Sequence, residues 1–234
     1  MKILAVDTSS HAASCAWLED GILIGESFAN AALTHSQTIL PMVESMLKNI
    51  TRNIEDADLF AVSHGPGSFT GLRIGVGAIK GMAMALEKPC VGISTLHSLA
   101  FNTSGFSGII VPVMDARANQ VYTAIFESNC DKMDRLHDDT AMQITQLYKI
   151  LLTYAPKRII LIGDGAELCK KNFDEMGLIV DIAPPTLLHQ RAGSLCMLAN
   201  NISREKWVSA AELEPFYLRL PQAERERLER EQSK

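Results

Sequence analysis

Two aspartates stand where phosphate-facing turns could form. Asp7 ends the apolar run Ile3–Val6 and opens the turn Thr8-Ser9-Ser10, and Asp115 ends a second apolar run, Ile109–Met114. Hydroxyls and backbone N–H groups gathered in such a turn can hold a phosphate. A capped turn, whose aspartate accepts backbone hydrogen bonds, fits the first of these segments equally well. Both interpretations of Asp7, Thr8, Ser9 and Ser10 therefore stay open at this point.

A third polar turn follows the apolar run 158–162. Gly163-Asp164-Gly165 is either a tight strand-to-helix turn or a place where backbone closely approaches an adenosine. The turn is favoured, because glycines that follow strands mostly form turns. Gly163 and Gly165 are kept beside Asp7 and Asp115 as candidate nucleotide-binding residues.

The histidines and cysteines do not indicate a metal site. No two of the six histidines lie four residues apart, so no pair shares one helical face, and no HExxH motif occurs. His97, in the segment 94–99, has no partner nearby in the sequence. The five cysteines are scattered and never form CxxC, which is typical of free thiols in a reducing cytosol. No GxSxG motif marks a nucleophile, so the sequence predicts neither a metal nor a catalytic residue.

The segment 63–77, SHGPGSFTGLRIGVG, is the most distinctive stretch of the chain. It follows the buried-strand pattern Leu59–Val62 and turns through Gly65-Pro66-Gly67, whose glycines permit positive φ and close backbone approach. Ser68 or Thr70 can cap the helix that begins there. The first N–H groups of that helix would then favour an anion or a partner's carbonyl group.

Four glycines lie inside that helix, and each costs about 1 kcal/mol relative to alanine. They are Gly71, Gly75, Gly77 and Gly81. A separate helical stripe already supplies the face that packs on the sheet, namely Leu72, Val76, Ile79, Ala83 and Leu86. We therefore expect the glycines to point outward and to admit a helix of another chain. The alternative is close packing on the protein's own sheet.

The elements that position these residues repeat in two halves of order βββαβαβ. Expected strands of the first half are 3–6, 14–18, 22–28, 59–63 and 89–93, with Asp20-Gly21 as a hairpin turn. Its first helix follows a capping box at Thr34–Gln37, and Pro41 implies either a kink or a later start near Thr38. Its second helix runs from Thr70 to about Glu87. The second half has expected strands 109–114, 121–126, 136–142, 158–162 and 178–182, and helices 143–153, 166–173 and 192–201.

This duplicated pattern predicts an actin-like (ASKHA) α/β protein, with two ribonuclease-H-like lobes of mixed sheets. The joint is expected at 103–108, which gives an N-terminal lobe 1–105 and a C-terminal lobe 106–221 whose last helix could pack back on the first lobe. Residues 222–234 alternate Glu and Arg and are expected to form a solvated helix or frayed tail. Because ligands bind beyond the carboxyl ends of strands, Asp7 and Asp115 would face one cleft.

Composition limits the function further. The net charge of −5 gives no electrostatic footprint for unaided nucleic-acid binding. No apolar stretch is long enough for a signal peptide or a membrane helix, so a cytoplasmic protein without membrane contact is expected.

Together these residues resemble the TsaB (YeaZ) family. The resemblance is spread over most of the chain and rests on the segments 3–9, His35-Ser36 with Leu40-Pro41, GPGSFTGLRIG at 65–75, 92–96, Asp115-Ala116-Arg117 with Val121-Tyr122, and PFYLR at 215–219. This family is the smaller actin-like partner of TsaD, the enzyme that makes N6-threonylcarbamoyladenosine (t6A) at position 37 of tRNAs reading codons that start with A.

The resemblance implies a non-catalytic scaffold that acts with TsaD and the ATPase TsaE and meets tRNA only through their complex. TsaD carries a metal-binding histidine pair after its fifth strand, and Ser94–Ser98 lacks that pair. The resemblance implies no intrinsic cofactor, with ATP or ADP at or near the TsaD interface. Self-association and TsaD binding would use the helices bearing His35, Leu40, Gly67, Ser68, Phe69, Thr70, Gly71, Arg73, Ile74, Gly75, Ala78 and Met82.

Two enzymatic alternatives remain at this stage. The first is an independent ATPase or small-molecule kinase of the same fold, which would use Asp7 and Asp115 across the cleft. The second is a metal-dependent peptidase, because the wider family was long labelled as glycoproteases.

Overall fold

Two five-stranded sheets form the centre of the protein, for which a computed structural model describes residues 1–31, 34–129 and 132–219. The first sheet contains β1 (Lys2–Asp7), β2 (Ala13–Glu19), β3 (Ile22–Ala29), β4 (Leu59–Gly65) and β5 (Cys90–Ser94). The second contains β6 (Ser107–Asp115), β7 (Gln120–Asn129), β8 (Met133–Gln143), β9 (Ile159–Ile162) and β10 (Asp181–Ile182).

The two sheets have the same topology. Their strand orders are β3-β2-β1-β4-β5 and β8-β7-β6-β9-β10. In each sheet the first strand is antiparallel to the second and parallel to the fourth. The duplication inferred from the order of elements is therefore real, and the predicted actin-like fold is confirmed.

Helices cover both faces of each sheet. They are α1 (His35–Asn49), α2 (Phe69–Ala85), α3 (Thr95–Phe101), α4 (Ile144–Leu152), α5 (Ala166–Glu175) and α6 (Ala192–Asn200). On the first sheet, α1 and α2 pack against Leu4, Val6, Trp17 and Phe60. On the second, α4 and α5 pack against the corresponding outer face of β6 and β9.

The two inner helices are exchanged between the halves of the chain. α3 follows the first sheet in sequence, but its Leu96 and Leu99 pack against the second sheet. α6 ends the second half, but its Leu195 and Cys196 pack against the first sheet. The turn between α3 and β6 divides the sequence into two halves, but the packing crosses this boundary. Each sheet buries its inner face against a helix from the other half.

Local sequence signals explain most element ends. Asp20 and Gly21 adopt φ of 48° and 81°, so the predicted hairpin turn is confirmed. Ser68 caps α2 by accepting a hydrogen bond from the Gly71 N–H at 3.3 Å. The predicted capping box at Thr34 is wrong, because the Thr34 side chain makes no cap hydrogen bond. α1 begins at His35, before Thr38, and continues through Pro41.

Other expectations need correction. The short helix α3 was not predicted, although Ser94 caps it by accepting from the His97 N–H at 3.1 Å. The strand expected at 178–182 is reduced to β10. The charged tail 222–234 lies outside the described residues. Within the described ranges, no helix has the length and apolarity to span a bilayer.

Four cysteines lie within the described ranges, and all are buried: Cys15, Cys90, Cys169 and Cys196. Burial raises the pKa of the Cys15 and Cys169 thiols to about 12 and that of Cys90 to about 11. Burial also raises the thiol pKa of Cys196. Their side chains serve as small apolar groups in the core.

Candidate functional site

The Asp7 carboxylate is sealed inside the first lobe. Asp7 is completely buried, and one of its carboxylate oxygens accepts hydrogen bonds from the Ser9 N–H at 2.9 Å and the Ser9 hydroxyl at 2.6 Å. The other oxygen accepts a hydrogen bond from the Ser63 hydroxyl. Burial raises the pKa of Asp7, and these hydrogen bonds oppose that rise. The expectation that Asp7 faces a cleft is therefore wrong, because its side chain fastens β1 to β4.

The rest of the first turn is pressed against α2 and the loop before it. The Thr8 hydroxyl donates to the Gly71 carbonyl at 2.7 Å, and the Ser68 N–H donates to the Ser9 carbonyl at 2.7 Å. A Cβ added at Gly67, Gly71 or Gly75 would lie 2.4, 2.1 or 2.4 Å from Ser9 O, Thr8 O or Thr8 Oγ1. No ordinary side chain tolerates such distances.

These contacts decide which glycines of α2 face outward. Gly71 and Gly75 are buried, so the expectation that they point outward is wrong. They are glycines because β1 and its turn approach the backbone of α2. Gly77 and Gly81 differ, since both are exposed and an added Cβ would meet nothing within 4 Å.

The remaining interface candidates divide between exposed and packed positions. Thr70 and Arg73 are exposed on α2, as is Leu40 on α1. Ile74, Ala78 and Met82 are half-buried against the hydrophobic core that α1 and α2 share. His35 has a different position, because its Nε2 donates to the Ser10 carbonyl at 2.7 Å and holds the start of α1 against the first turn.

Asp115, the counterpart of Asp7 in the second lobe, is exposed. One of its carboxylate oxygens accepts from the Arg117 N–H at 2.7 Å. Arg117, Ala118 and Asn119 follow with φ of 63°, 52° and 55°, and we call these three residues the left-handed turn. A non-glycine residue in this conformation costs roughly 1–2 kcal/mol, so three in succession require firm support from their surroundings.

A cleft of about 600 Å³ lies between the two turns. Ser9, Ser10, Asp115 and Asp164 line it, as do His35, Arg117 and Arg219. The Ser10 hydroxyl donates across the cleft to the Asp164 carboxylate at 2.6 Å, and the other oxygen of Asp164 accepts from the Asp115 N–H at 3.1 Å. A hydroxyl–carboxylate pair thus joins the two lobes in the cleft.

Gly163 and Gly165 have a structural explanation. A Cβ at Gly163, which has φ of 115°, would lie 2.2 Å from the Val113 carbonyl oxygen. The Gly165 N–H donates to that same carbonyl at 3.1 Å. Both glycines therefore let the turn after β9 lie against β6, and it is Asp164 between them that reaches the cleft.

A nucleotide site built on both aspartates does not fit these residues. Mg²⁺ in nucleotide sites is held by one or two carboxylates together with the phosphates, and Asp7 cannot supply one, because both of its oxygens are enclosed by hydroxyl and amide groups.

The segment after β5 does not supply a metal site either. The His97 ring stacks on Phe126, with centroids 5.3 Å apart, and burial and the nearby Arg135 lower the His97 pKa to about 4. The neighbouring Ser94 hydroxyl donates to Asp139 at 2.5 Å. Among residues 1–31, 34–129 and 132–219, no three His, Cys, Asp or Glu side chains come together as metal ligands.

Residues 209–219, which we call the strap, complete the cleft. After Val208 pairs with Cys90 at the edge of β5, the strap crosses the start of α2 and reaches the second lobe. Phe216, Tyr217, Leu218 and Arg219 line the cleft. The PFYLR segment carries part of the family resemblance, and its adjacent aromatic residues followed by an arginine are the only local signal of its place at the cleft.

The fold and the cleft define the class: a two-lobed actin-like protein whose first strand-end carboxylate serves the structure and whose second faces solvent. Two proteins named as the tRNA threonylcarbamoyladenosine biosynthesis protein TsaB are similar to this chain over most of their length. The one from Bacillus subtilis is 30% identical over 96% of both chains, and the one from Escherichia coli is 29% identical over 94% of this chain and 95% of its own.

A family model and a solved structure agree with these relatives. The model described as TsaD, tRNA N6-adenosine threonylcarbamoyltransferase, matches residues 29–227. The structure titled YeaZ from Pseudomonas aeruginosa superposes with a TM-score of 0.78 at 27% identity, over 93% of this chain and 99% of that one. The chain belongs to the TsaB (YeaZ) family, whose sequences are related to TsaD.

Proposed function

We propose that this chain is a non-catalytic, activating subunit in the formation of t6A at position 37 of tRNAs that read codons starting with A, acting in the cytoplasm with TsaD and TsaE. The family assignment supports the role in t6A biosynthesis, because the relatives are named for it. The observation that supports a non-catalytic role is the enclosure of Asp7. A fully buried, fully hydrogen-bonded carboxylate cannot contact a substrate.

Reconstitution tests this proposal. The purified chain is mixed with tRNA and the substrates of the transfer reaction, first alone and then with TsaD and TsaE from the same cell. We expect t6A only when TsaD is present, and less of it when this chain is left out. Formation of t6A by this chain without TsaD would show that it is the enzyme.

We further propose that the outer faces of α1 and α2 bind TsaD, and that a second copy of the chain uses the same faces in a homodimer. Support comes from exposed Leu40 and from Gly77 and Gly81, where nothing lies within 4 Å of an added Cβ. A partner helix can approach such positions to backbone distance. Contact with tRNA is left to the complex, because the chain has a net charge of −5.

Gly77→Leu tests this surface without disturbing the core. We expect it to weaken TsaD binding and self-association by about tenfold or more. A bulky side chain that clashes at the centre of an interface costs about 1–2 kcal/mol or more in binding free energy. Gly105→Leu is the matched control, because Gly105 is also exposed and a Cβ added there would meet nothing within 4 Å. Unchanged binding by Gly77→Leu, with no loss of thermal stability, would remove α2 from the interface.

For nucleotides, we propose that this chain holds none by itself and that ATP or ADP binds at or near the surface shared with TsaD. The enclosure of both Asp7 oxygens supports this view, since it leaves that carboxylate unavailable to a Mg²⁺ ion in the isolated chain. Titration calorimetry with Mg²⁺ and ATP separates the cases. Binding by the isolated chain together with ATP turnover would instead favour the independent ATPase or kinase.

A further inference from the structure

The strap is held to the first lobe at its beginning and near its middle. The Lys80 ammonium donates to the carbonyls of Ala211 and Leu213 at 3.0 and 2.9 Å. Further along, the Phe216 N–H donates to the His64 carbonyl at 2.7 Å. A Cβ at Gly65 would lie 2.0 Å from the Phe216 carbonyl oxygen, so the strap lies directly on the end of β4.

The next residue of the strap, Tyr217, rests on the start of α2. Its ring packs against Phe69, with centroids 4.9 Å apart. The Arg73 Nε donates to the Tyr217 hydroxyl at 3.2 Å, and the Arg73 guanidinium lies 4.1 Å from the centre of the Phe69 ring. Tyr217 is therefore fixed by two residues that belong to the outer surface of α2.

Two residues later the strap reaches the second lobe. The Arg219 guanidinium donates to the Ala116 carbonyl at 3.2 Å. Ala116 immediately precedes the left-handed turn, whose residues have φ values that ordinary side chains avoid. Arg219 thus supports, from outside, a segment whose conformation depends on external support.

We propose that the strap is a latch that couples the start of α2 to the left-handed turn at the mouth of the cleft. Groups that hold Tyr217 on α2 also hold Arg219 on Ala116, because only Leu218 separates the two residues along the chain. Loosening Arg73 or Tyr217 therefore loosens a turn on the opposite lobe. This inference goes beyond the proposed function, since it concerns the chain alone and does not depend on its partners.

A second connection between the lobes must be separated from the strap. Asp164 accepts from the Ser10 hydroxyl and from the Asp115 N–H, so the base of the left-handed turn is also tied to the first lobe through the cleft. Ser10→Ala removes this connection and leaves the strap intact. It measures how much the cleft pair contributes to holding the turn.

Hydrogen exchange measured by mass spectrometry on the full chain tests the latch. The reporting amides are those of Ala116 and Gln120, which donate to the Gln120 and Arg117 carbonyls at 3.0 Å each. Arg219→Ala should speed their exchange by about tenfold, as expected when a local opening becomes easier. Arg73→Ala and Tyr217→Phe, which loses only the hydroxyl, should each speed it by roughly threefold.

Controls make each outcome decisive. Arg158→Ala removes an exposed arginine of the second lobe that is paired with Asp181 at 2.7 Å, and it should leave the turn unchanged. Amides of β4 and β9 should keep their protection in every variant. Normal exchange in Arg73→Ala and Tyr217→Phe would overturn the coupling, and normal exchange in Arg219→Ala would overturn the latch. Loss of protection in all strands would show general destabilisation and reject the inference equally.

Discussion

The two lobes present the same strand-end aspartate in opposite environments. Asp7 ends β1, is wholly buried and accepts three hydrogen bonds from Ser9 and Ser63. Asp115 ends β6, is exposed and accepts a backbone hydrogen bond at the start of the left-handed turn. Both occupy equivalent places in sheets of identical strand order.

The difference arises from what packs over each strand end. In the first lobe the start of α2 carries Gly71 and Gly75, and its backbone approaches β1 closely enough to close over the turn. In the second lobe the corresponding helix α5 begins after Gly163–Gly165, which pack on Val113 further back along β6. A duplicated fold has therefore kept the position of two carboxylates and left only one of them accessible.

The largest expected effect separates the two aspartates directly. Asp7→Ala leaves two hydroxyls and an N–H group buried without a partner, and we expect it to lower the free energy of unfolding by about 3 kcal/mol. Asp115→Ala should lower the free energy of unfolding by less than about 1 kcal/mol, because water can accept the hydrogen bond of the Arg117 N–H in place of the exposed carboxylate. Urea unfolding of both variants measures this, and equal losses would show that the two environments do not differ as described.

The next effect concerns the glycines that close the first turn. Gly71→Ala places a methyl group against the Thr8 carbonyl and should destabilise the fold by roughly 2–3 kcal/mol. Gly77 lies further along the same helix, and a methyl group added there meets open space. Gly77→Ala should therefore stabilise the fold by about 1 kcal/mol through helix propensity. Thermal unfolding should shift in opposite directions. A loss of stability in both variants would contradict the assigned faces of α2.

The smallest effect is a pH dependence carried by Asp7. Because its pKa is raised in the folded protein, its contribution to stability is present at low pH and is lost as pH rises through that pKa. Wild type should therefore gain stability relative to Asp7→Asn as pH falls from the raised pKa toward the ordinary value of 3.8. Urea midpoints over a pH series report this, with Asp115→Asn as the control. A flat or reversed difference would argue against the burial effect.

Sequence patterns predicted the strands, most of the helices and the duplication, because these depend on local periodicity and on turn residues such as Asp20-Gly21. They failed on α3, a short helix whose signal was one capping serine, Ser94. They also failed on the glycines of α2. The stripe through Leu72 and Val76 gives the direction of the buried face, but the approach of β1 widens that face to include Gly71 and Gly75.

The candidate site was less predictable than the fold. The sequence placed Asp7 and Asp115 at strand ends and Ser10 in the turn after the first strand, which is where they lie. It could not show that Ser9 and Ser63 enclose the Asp7 carboxylate, because Ser63 is 56 residues away in the chain. The pairing of Ser10 with Asp164 and of Arg219 with Ala116 likewise depends on how the two lobes meet, which no local pattern encodes.

The buried cysteines can report which part of the molecule unfolds first. A thiol must ionise before it reacts with an alkylating reagent, and burial suppresses ionisation at Cys15, Cys90, Cys169 and Cys196. Cys15 and Cys90 lie under α1 and α2, Cys196 lies in the layer between the sheets, and Cys169 is on α5 and faces the core of the second lobe. The order in which iodoacetamide alkylates these four thiols during slow denaturation would therefore show which layer of the structure separates first.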